Sequence, residues 1–317
     1  MNYNNIDCVD SGTENCPCYL AETGDCLVCS RLQGKEYCDC LWKGVCIYNE
    51  YIQSGKRVNN PRKDFTARIV LKKQYLDDLY VIGLDVGRGF ALKAAKPGTF
   101  VFVKSVGDPL YYDAPISVMK ADTEKGVIYL LVKSIAVKTK LITDVEDKLV
   151  VRGVYRSGLE GLSKIIGRFG KIKEHQKLLV LTKGVGFAPA VNLLEWAGEK
   201  TKIDFMIDED KICKEIVWDY IKPGLNGEVE FIQLPTLFED PKNGIQKLVR
   251  EGEYDVVVLL CSDYFIEEAK KMDWEDTILV HSNNSHICCG EGICGACTRV
   301  DENGNVYKMC KCNLAKR

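Results

Sequence analysis

Downstream of residue 63 the apolar positions fall into two different rhythms. Phe65–Leu71, Leu79–Leu84, Thr99–Val103, Gly126–Val132 and Lys148–Val154 are short, rich in β-branched residues, and bounded by turn formers. That pattern predicts antiparallel strands, and so many within about ninety residues predict a small barrel. Lys138–Ile142 reads as a short helix before the last of these strands. From Ser163 onward, Lys177–Thr182, Lys202–Ile207, Val229–Leu234 and Asp255–Cys261 are almost continuously apolar and alternate with helical stretches. Such strands are buried on both sides, as in a parallel sheet with helices on each face. Near the end, Asn303-Gly304 between Arg299–Asp301 and Val306–Lys308 predicts a hairpin. A two-residue loop there would set Cys297 opposite Cys310. Residues 8–46 show neither rhythm.

The expected architecture is therefore a β-barrel plus an α/β nucleotide-binding domain, flanked by a Cys-rich N-terminal segment and a C-terminal cysteine loop. The corresponding boundaries are residues 1–60, 61–160, 161–282 and 283–317, a division consistent with a chain of 317 residues. Lys+Arg 43 against Asp+Glu 45 leaves a net charge of -2, which gives no basis for nucleic-acid binding. No apolar run approaches bilayer length, so no membrane span is expected. The opening MNYNNIDCVDSG is polar and lacks a signal-peptide core, so a cytoplasmic setting is expected. In that setting the 16 cysteines read as metal ligands in preference to disulfides.

The cysteines concentrate at the two ends, with only Cys213 and Cys261 between. Cys289, Cys294 and Cys297 are spaced C-x4-C-x2-C on a loop containing Gly290, Gly292 and Gly295, with Cys310 and Cys312 beyond. Three thiolates on a glycine-rich loop plus one distal cysteine is the plant-type arrangement for a [2Fe–2S] cluster. The glycines permit positive φ, which turns backbone N–H groups toward sulfur. A four-cysteine zinc site is the alternative. At the other end lie Cys8, Cys16, Cys18, Cys26, Cys29, Cys38, Cys40 and Cys46, with no histidine among them. Too few apolar residues surround these to build a core unaided, so a second iron–sulfur cluster or structural zinc is expected there. Gly184 and Gly186, between a buried strand and a helix, allow close approach of a pyrophosphate to the helix N-terminus. His175, His281 and His286 are too scattered to suggest hydrolytic chemistry.

The order of these parts resembles the electron-transfer subunit of bacterial dihydroorotate dehydrogenase, in the ferredoxin–NADP reductase superfamily. Similar small subunits occur in sulfide dehydrogenase and in NADH-dependent ferredoxin:NADP oxidoreductase. The resemblance spans about residues 63–317. It implies FAD held by Ala114-Pro115-Ile116-Ser117 and by Thr139 at a helix N-terminus. It implies a nicotinamide at Gly184-Val-Gly186-Phe-Ala188-Pro189, beside a catalytic Cys261. The family spacing C-x4-C-x2-C-x14-C implies Cys312, not Cys310, as the fourth cluster ligand. Asp113 or Ala114 stands where the family carries an arginine on the FAD phosphates, and a carboxylate there is repulsive. Asp208, ending the second strand of the nucleotide domain, is positioned to accept from a ribose 2′-OH, which implies NAD(H). The activity implied is electron transfer between a nicotinamide dinucleotide and a separate catalytic or redox subunit, through FAD and the [2Fe–2S] cluster. The alternative is a non-enzymatic metal-cluster relay or adaptor whose flavin and nicotinamide sites have decayed.

Overall fold

The computed structural model describes residues 8–40, 42–109, 112–166, 172–173, 176–198, 201–301, 304 and 306–312. Strands β1 (Phe65–Leu76), β2 (Leu79–Asp85), β3 (Phe100–Ser105), β4 (Ala114–Asp122), β5 (Val127–Lys133) and β6 (Lys148–Tyr155) close an antiparallel barrel in the order β1–β2–β5–β4–β3–β6. Alternation lets these strands serve two cores. Ile82, Leu84, Leu130 and Val132 fill the barrel, whereas Leu79, Val81 and Leu131 join the core of the neighbouring domain. Strand β4 is absent from the sequence-based expectation. Pro115, one residue into the strand, is an unfavourable strand signal, since proline removes a ladder donor. The structure tolerates it at the strand's beginning, and a register shift between Val118 and Lys120 relieves the pairing with β5.

The second domain holds β7 (Leu159–Glu160), β8 (Lys177–Thr182), β9 (Lys202–Asp208), β10 (Val229–Ile232), β11 (Val256–Leu260) and β12 (Ile278–Ser282) in the order β10–β9–β8–β11–β12–β7. The pairings are parallel except β12 with β7. Burial on both sides explains the continuous apolar runs. Leu178 and Val180 face the core shared with helix Phe187–Ala197, and Leu179 and Leu181 face Ile245, Phe265 and Ile266. Helix Phe187–Ala197 also packs against β4, and Lys120 Nζ lies 2.7 Å from Glu195. β12 was missed in sequence because its apolar part is short; it sits between parallel and antiparallel neighbours.

The hairpin forms as β13 (Thr298–Val300) and β14 (Val306–Lys308), but one residue out of the expected register. Thr298 opposes Lys308, and the Met309 N–H donates to the Cys297 carbonyl at 3.1 Å. Gly304 at φ 77° donates its N–H to the Asp301 carbonyl, so the loop is longer than two residues. Asn303 lies outside the described residues.

The N-terminal segment is not an independent appendage. Cys8 and Cys312 form an antiparallel bridge, and the Val9 N–H donates to the Lys311 carbonyl at 2.9 Å. Beside this bridge, four buried charges from four distant places meet. Arg62 donates two bonds to the Asp10 carboxylate, at 2.6 and 3.2 Å. Lys311 Nζ donates to Asp10 at 2.7 Å and to Glu291 at 3.0 Å. Asp10 and Lys311 are both fully buried. Burial opposes ionisation of Asp10, yet Lys311 and Arg62 hold its carboxyl down to about 2.

Two outcomes follow from this cluster. Lys311→Met removes one cation and leaves two buried carboxylates sharing Arg62 alone, one net negative charge uncompensated, which should cost about 3–5 kcal/mol in a denaturant titration. Asp10 binds its proton less readily folded than unfolded, so its contribution is complete above about pH 4 and is lost as pH falls through about 2. Acid titration followed by near-ultraviolet circular dichroism should show that loss, and Asp10→Asn should flatten it.

Candidate functional site

A cleft of about 570 Å³ opens between the barrel and the carboxyl ends of β8 and β11. That size suits a small-molecule cofactor, and the switch-point side of a parallel sheet is where such ligands bind. Phe100, Pro115 and Ser117 form the barrel wall. Gly184, Gly186 and Pro189 form the opposite wall, at the N-terminus of helix Phe187–Ala197. A Cβ on Gly186 would stand 1.9 Å from the Leu260 carbonyl oxygen, so only glycine lets this turn seat against β11. Lys133, Lys183 and Lys211 also line the cleft, and with the helix N-terminus they give it an anion-attracting character. The Ser285 hydroxyl, buried in the wall, has no hydrogen-bond partner among the described residues. An orphaned polar atom in a cleft fits a bound polar ligand.

Cys261 lies in the same cleft, 7 % exposed, with its thiol pushed up to about 12 by burial and by Asp263. It is therefore a protonated, weakly polar wall and not a thiolate nucleophile. The remaining nominated residues do not line the cleft. Ile116 alternates away from Pro115 and Ser117 to pack on the barrel core. Ala188 is buried in the shared core. The Thr139 hydroxyl closes its own helix by accepting from Ala136 N–H and donating to Ala136 C=O. Asp208 is fully buried, accepting from the Leu234 N–H at 2.9 Å and pairing with Lys183 at 2.7 Å. The exposed acids at that strand end are Glu209 and Asp210, the latter 52 % exposed at its side chain. Asp113, the feared repulsion, also stays out of the lining: it pairs with Arg152 at 2.6 Å and Lys104 at 3.5 Å. His281 is buried and held neutral, its pKa lowered by desolvation to about 4. His175 lies outside the described residues.

The cysteine loop packs directly behind the cleft. Phe100 and Ile287 line the cleft and also share an apolar cluster with Phe102, Tyr155, Cys297 and Cys310. Gly290, Gly292 and Gly295 adopt φ of 73°, 79° and 76°. The Glu291 N–H donates to Cys289 Sγ at 3.3 Å, and the Cys310 N–H to Cys297 Sγ at 3.4 Å. Contact with the Cys310 thiol and these backbone donors pull Cys289 down to about 4 and Cys297 to about 6. Cys294, exposed on the loop, contacts Cys289. The four thiols that meet are thus Cys289, Cys294, Cys297 and Cys310. Cys312 stands opposite Cys8. β14 ends at Lys308, so Cys310 and Cys312 do not lie two apart on one strand. The N–H groups of both Lys311 and Cys312 return to the Lys308 carbonyl. That turn carries Cys312 to the bridge with Cys8.

The donor set and its N–H···S bonds suit an iron–sulfur cluster. Among the described residues no group of three or more Cys, His, Asp or Glu is placed to hold a single metal ion. In the N-terminal segment Cys16 and Cys29 are buried with Ala21, Leu32 and Ile47, and Cys26 packs on that core. Cys38 and Cys40 lie 3.7 Å apart at sulfur, and Cys46 is exposed.

No protein-family model matches the chain, and no curated protein sequence matches it. Among solved structures, one described as giving insights into flavin-based electron bifurcation, the NADH-dependent reduced ferredoxin-NADP oxidoreductase, matches with TM-score 0.58 and 19% identity over 77% of this chain and 85% of that chain. The chain has a ferredoxin reductase-like fold. Full-length CYP116B46 from Tepidiphilus thermophilus matches with TM-score 0.50 and 13% identity, over 82% of this chain and 42% of that one. In this fold no helix among the described residues is long and apolar enough to cross a membrane.

Gly290 supplies the sharpest test of the loop. A Cβ there would meet the Tyr155 ring at 2.4 Å while φ stays at +73°. Gly290→Ala should cost about 1–3 kcal/mol in thermal unfolding. It should also expose the cysteines, so thiol alkylation of the metal-free chain should quicken relative to wild type.

Proposed function

We propose that this chain is a flavin-dependent oxidoreductase that carries electrons between a nicotinamide dinucleotide and a separate redox partner, through FAD in the cleft and a [2Fe–2S] cluster on Cys289, Cys294, Cys297 and Cys310. The observation that carries this reading is the shared wall. Phe100 and Ile287 belong to the cleft and to the apolar cluster around Cys297 and Cys310. Two redox groups so placed are separated by little more than packed side chains.

The chain's own contributions follow from the geometry. Lys133 and Lys211 would attract the diphosphates, Lys183 being already paired with Asp208 and Asp210, and the helix N-terminus at Gly186 adds partial positive charge. Phe100, Pro115 and Ile287 exclude water from the ring system. Pro115 and Ser117, neighbours on one side of β4, present a flat strand surface to it. Cys261 and the free Ser285 hydroxyl face the nicotinamide side from the sheet and from the loop after β12. Bound there, a flavin supplies the conversion between hydride and single-electron transfer; the protein positions and shields it. Asp113 does not oppose flavin binding, because Arg152 and Lys104 neutralise it. Neighbouring structures supply the fold precedent, and the solved ferredoxin oxidoreductase is described as NADH-dependent.

With Asp208 buried, the exposed acids at that strand end are Asp210, 3.3 Å from Lys183, and Glu209, which accepts from Gln233, and their carboxylates disfavour a 2′-phosphate. Flavin reduction followed by stopped flow should be faster with NADH than NADPH by about tenfold, a difference near 1.4 kcal/mol. Anaerobically purified chain should also release FAD on denaturation. A cluster spectrum with no releasable flavin would leave only the flavin-free relay, and faster reduction by NADPH would reverse the dinucleotide assignment.

A further inference from the structure

We propose that the two ends of the chain jointly build a second iron–sulfur site, with Cys312 and Cys8 as ligands alongside Cys18 and Cys26. This assigns Cys312 to a centre different from the one its spacing suggested, and brings in Cys8 from outside the described C-terminal loop.

Cys8 and Cys312 are directly opposed in an antiparallel bridge. Opposed residues point to the same side with Cβ atoms about 4.5–5.5 Å apart, so the two thiols emerge together. Cys312 is fully buried and Cys8 half-buried. Cys18 is close enough for its charge to act on Cys8, and Cys26 is close enough to act on Cys16 and to feel Cys18. The same local turn recurs at three of these positions. The backbone N–H two residues on faces the sulfur: Asp10 for Cys8, Leu20 for Cys18 and Val28 for Cys26. Cys26 Sγ also accepts from Cys29 N–H at 3.4 Å. This is the turn that serves Cys289 through Glu291 and Cys294 through Ala296. These donors oppose, without overcoming, the desolvation that pushes the Cys8, Cys18 and Cys26 thiols up.

The chemical class follows from spacing and charge. Four thiolates on one zinc, with Zn–S of about 2.3 Å, sit about 3.8 Å apart. Cys38 and Cys40 meet that spacing as a pair, but no group of three among the described residues is placed for a single ion. A cluster spreads its ligands over several irons and accepts wider separation. Lys311 adds a fixed buried cation that acts on both Cys8 and Cys18, partly offsetting the negative charge of a four-thiolate cluster.

The full-length chain, purified anaerobically and reconstituted with iron and sulfide, tests this. Wild type should bind more iron than the about two per chain of one [2Fe–2S] cluster. Cys8→Ser and Cys312→Ser should each lose the same additional iron and sulfide, by about two to four irons, while the reduced-state EPR signal of the C-terminal cluster stays unchanged. Cys310→Ser should do the reverse, so failure of the C-terminal assignment shows separately. Wild-type iron limited to about two per chain, zinc in its place, or a Cys312→Ser variant that loses the C-terminal signal while Cys8→Ser loses nothing would overturn the proposal. The wild-type count needs no variant to fold.

Discussion

The buried quartet Asp10, Arg62, Glu291 and Lys311 holds the molecule's peripheral parts in one arrangement. Two carboxylates and two cations leave no net charge, and each charge has at least two partners within 3.4 Å. Such a cluster gains little over a well-packed apolar core, because desolvation offsets much of the attraction. What it supplies is discrimination: any misplacement of one end strands a charge. The network extends outward as well. Tyr155 donates to Glu291 at 2.9 Å, and Arg152 donates to the Cys289 carbonyl at 3.0 Å and to Asp113 at 2.6 Å. A single polar chain therefore runs from the N-terminal segment, behind the cysteine loop, to the barrel strand that walls the cleft.

The barrel and sheet were legible in sequence because they obey local periodicity. β1, β2, β3, β5 and β6 fall where alternation placed them, and β8 to β11 where continuous apolar runs did. β4, which Pro115 interrupts at its second residue, and β12, which offers only a short apolar run, were not expected. Of the site, Pro115, Ser117, Gly184, Gly186, Pro189 and Cys261 converge on one cleft. Thr139, Ile116, Ala188 and Asp208 do not, for reasons of alternation and capping that a motif does not encode. Lys183 stood beside the quoted glycines and was a readable signal. Lys133, Lys211 and Ser285 come from separate loops and were not.

The cysteines show the same division more sharply. Their number and spacing led to an expectation of metal ligation, but not to which thiols meet. Cys310 and Cys312 differ by two positions, and their fates are decided by where β14 ends. Likewise Asp10 and Lys311 are 301 positions apart and carry no local mark of being partners. Distance along the chain hides such pairs until the fold closes.

The bridge between Cys8 and Cys312 also orders events during synthesis. Among the described residues, the first to leave the ribosome waits for nearly the last before its backbone partner exists. The barrel and sheet can assemble as they emerge, since domains fold as units during translation. The Cys-rich segment cannot complete its contacts until residues 310–312 arrive. Completion of this end of the molecule consequently comes later than folding of the domains that separate its two halves in sequence.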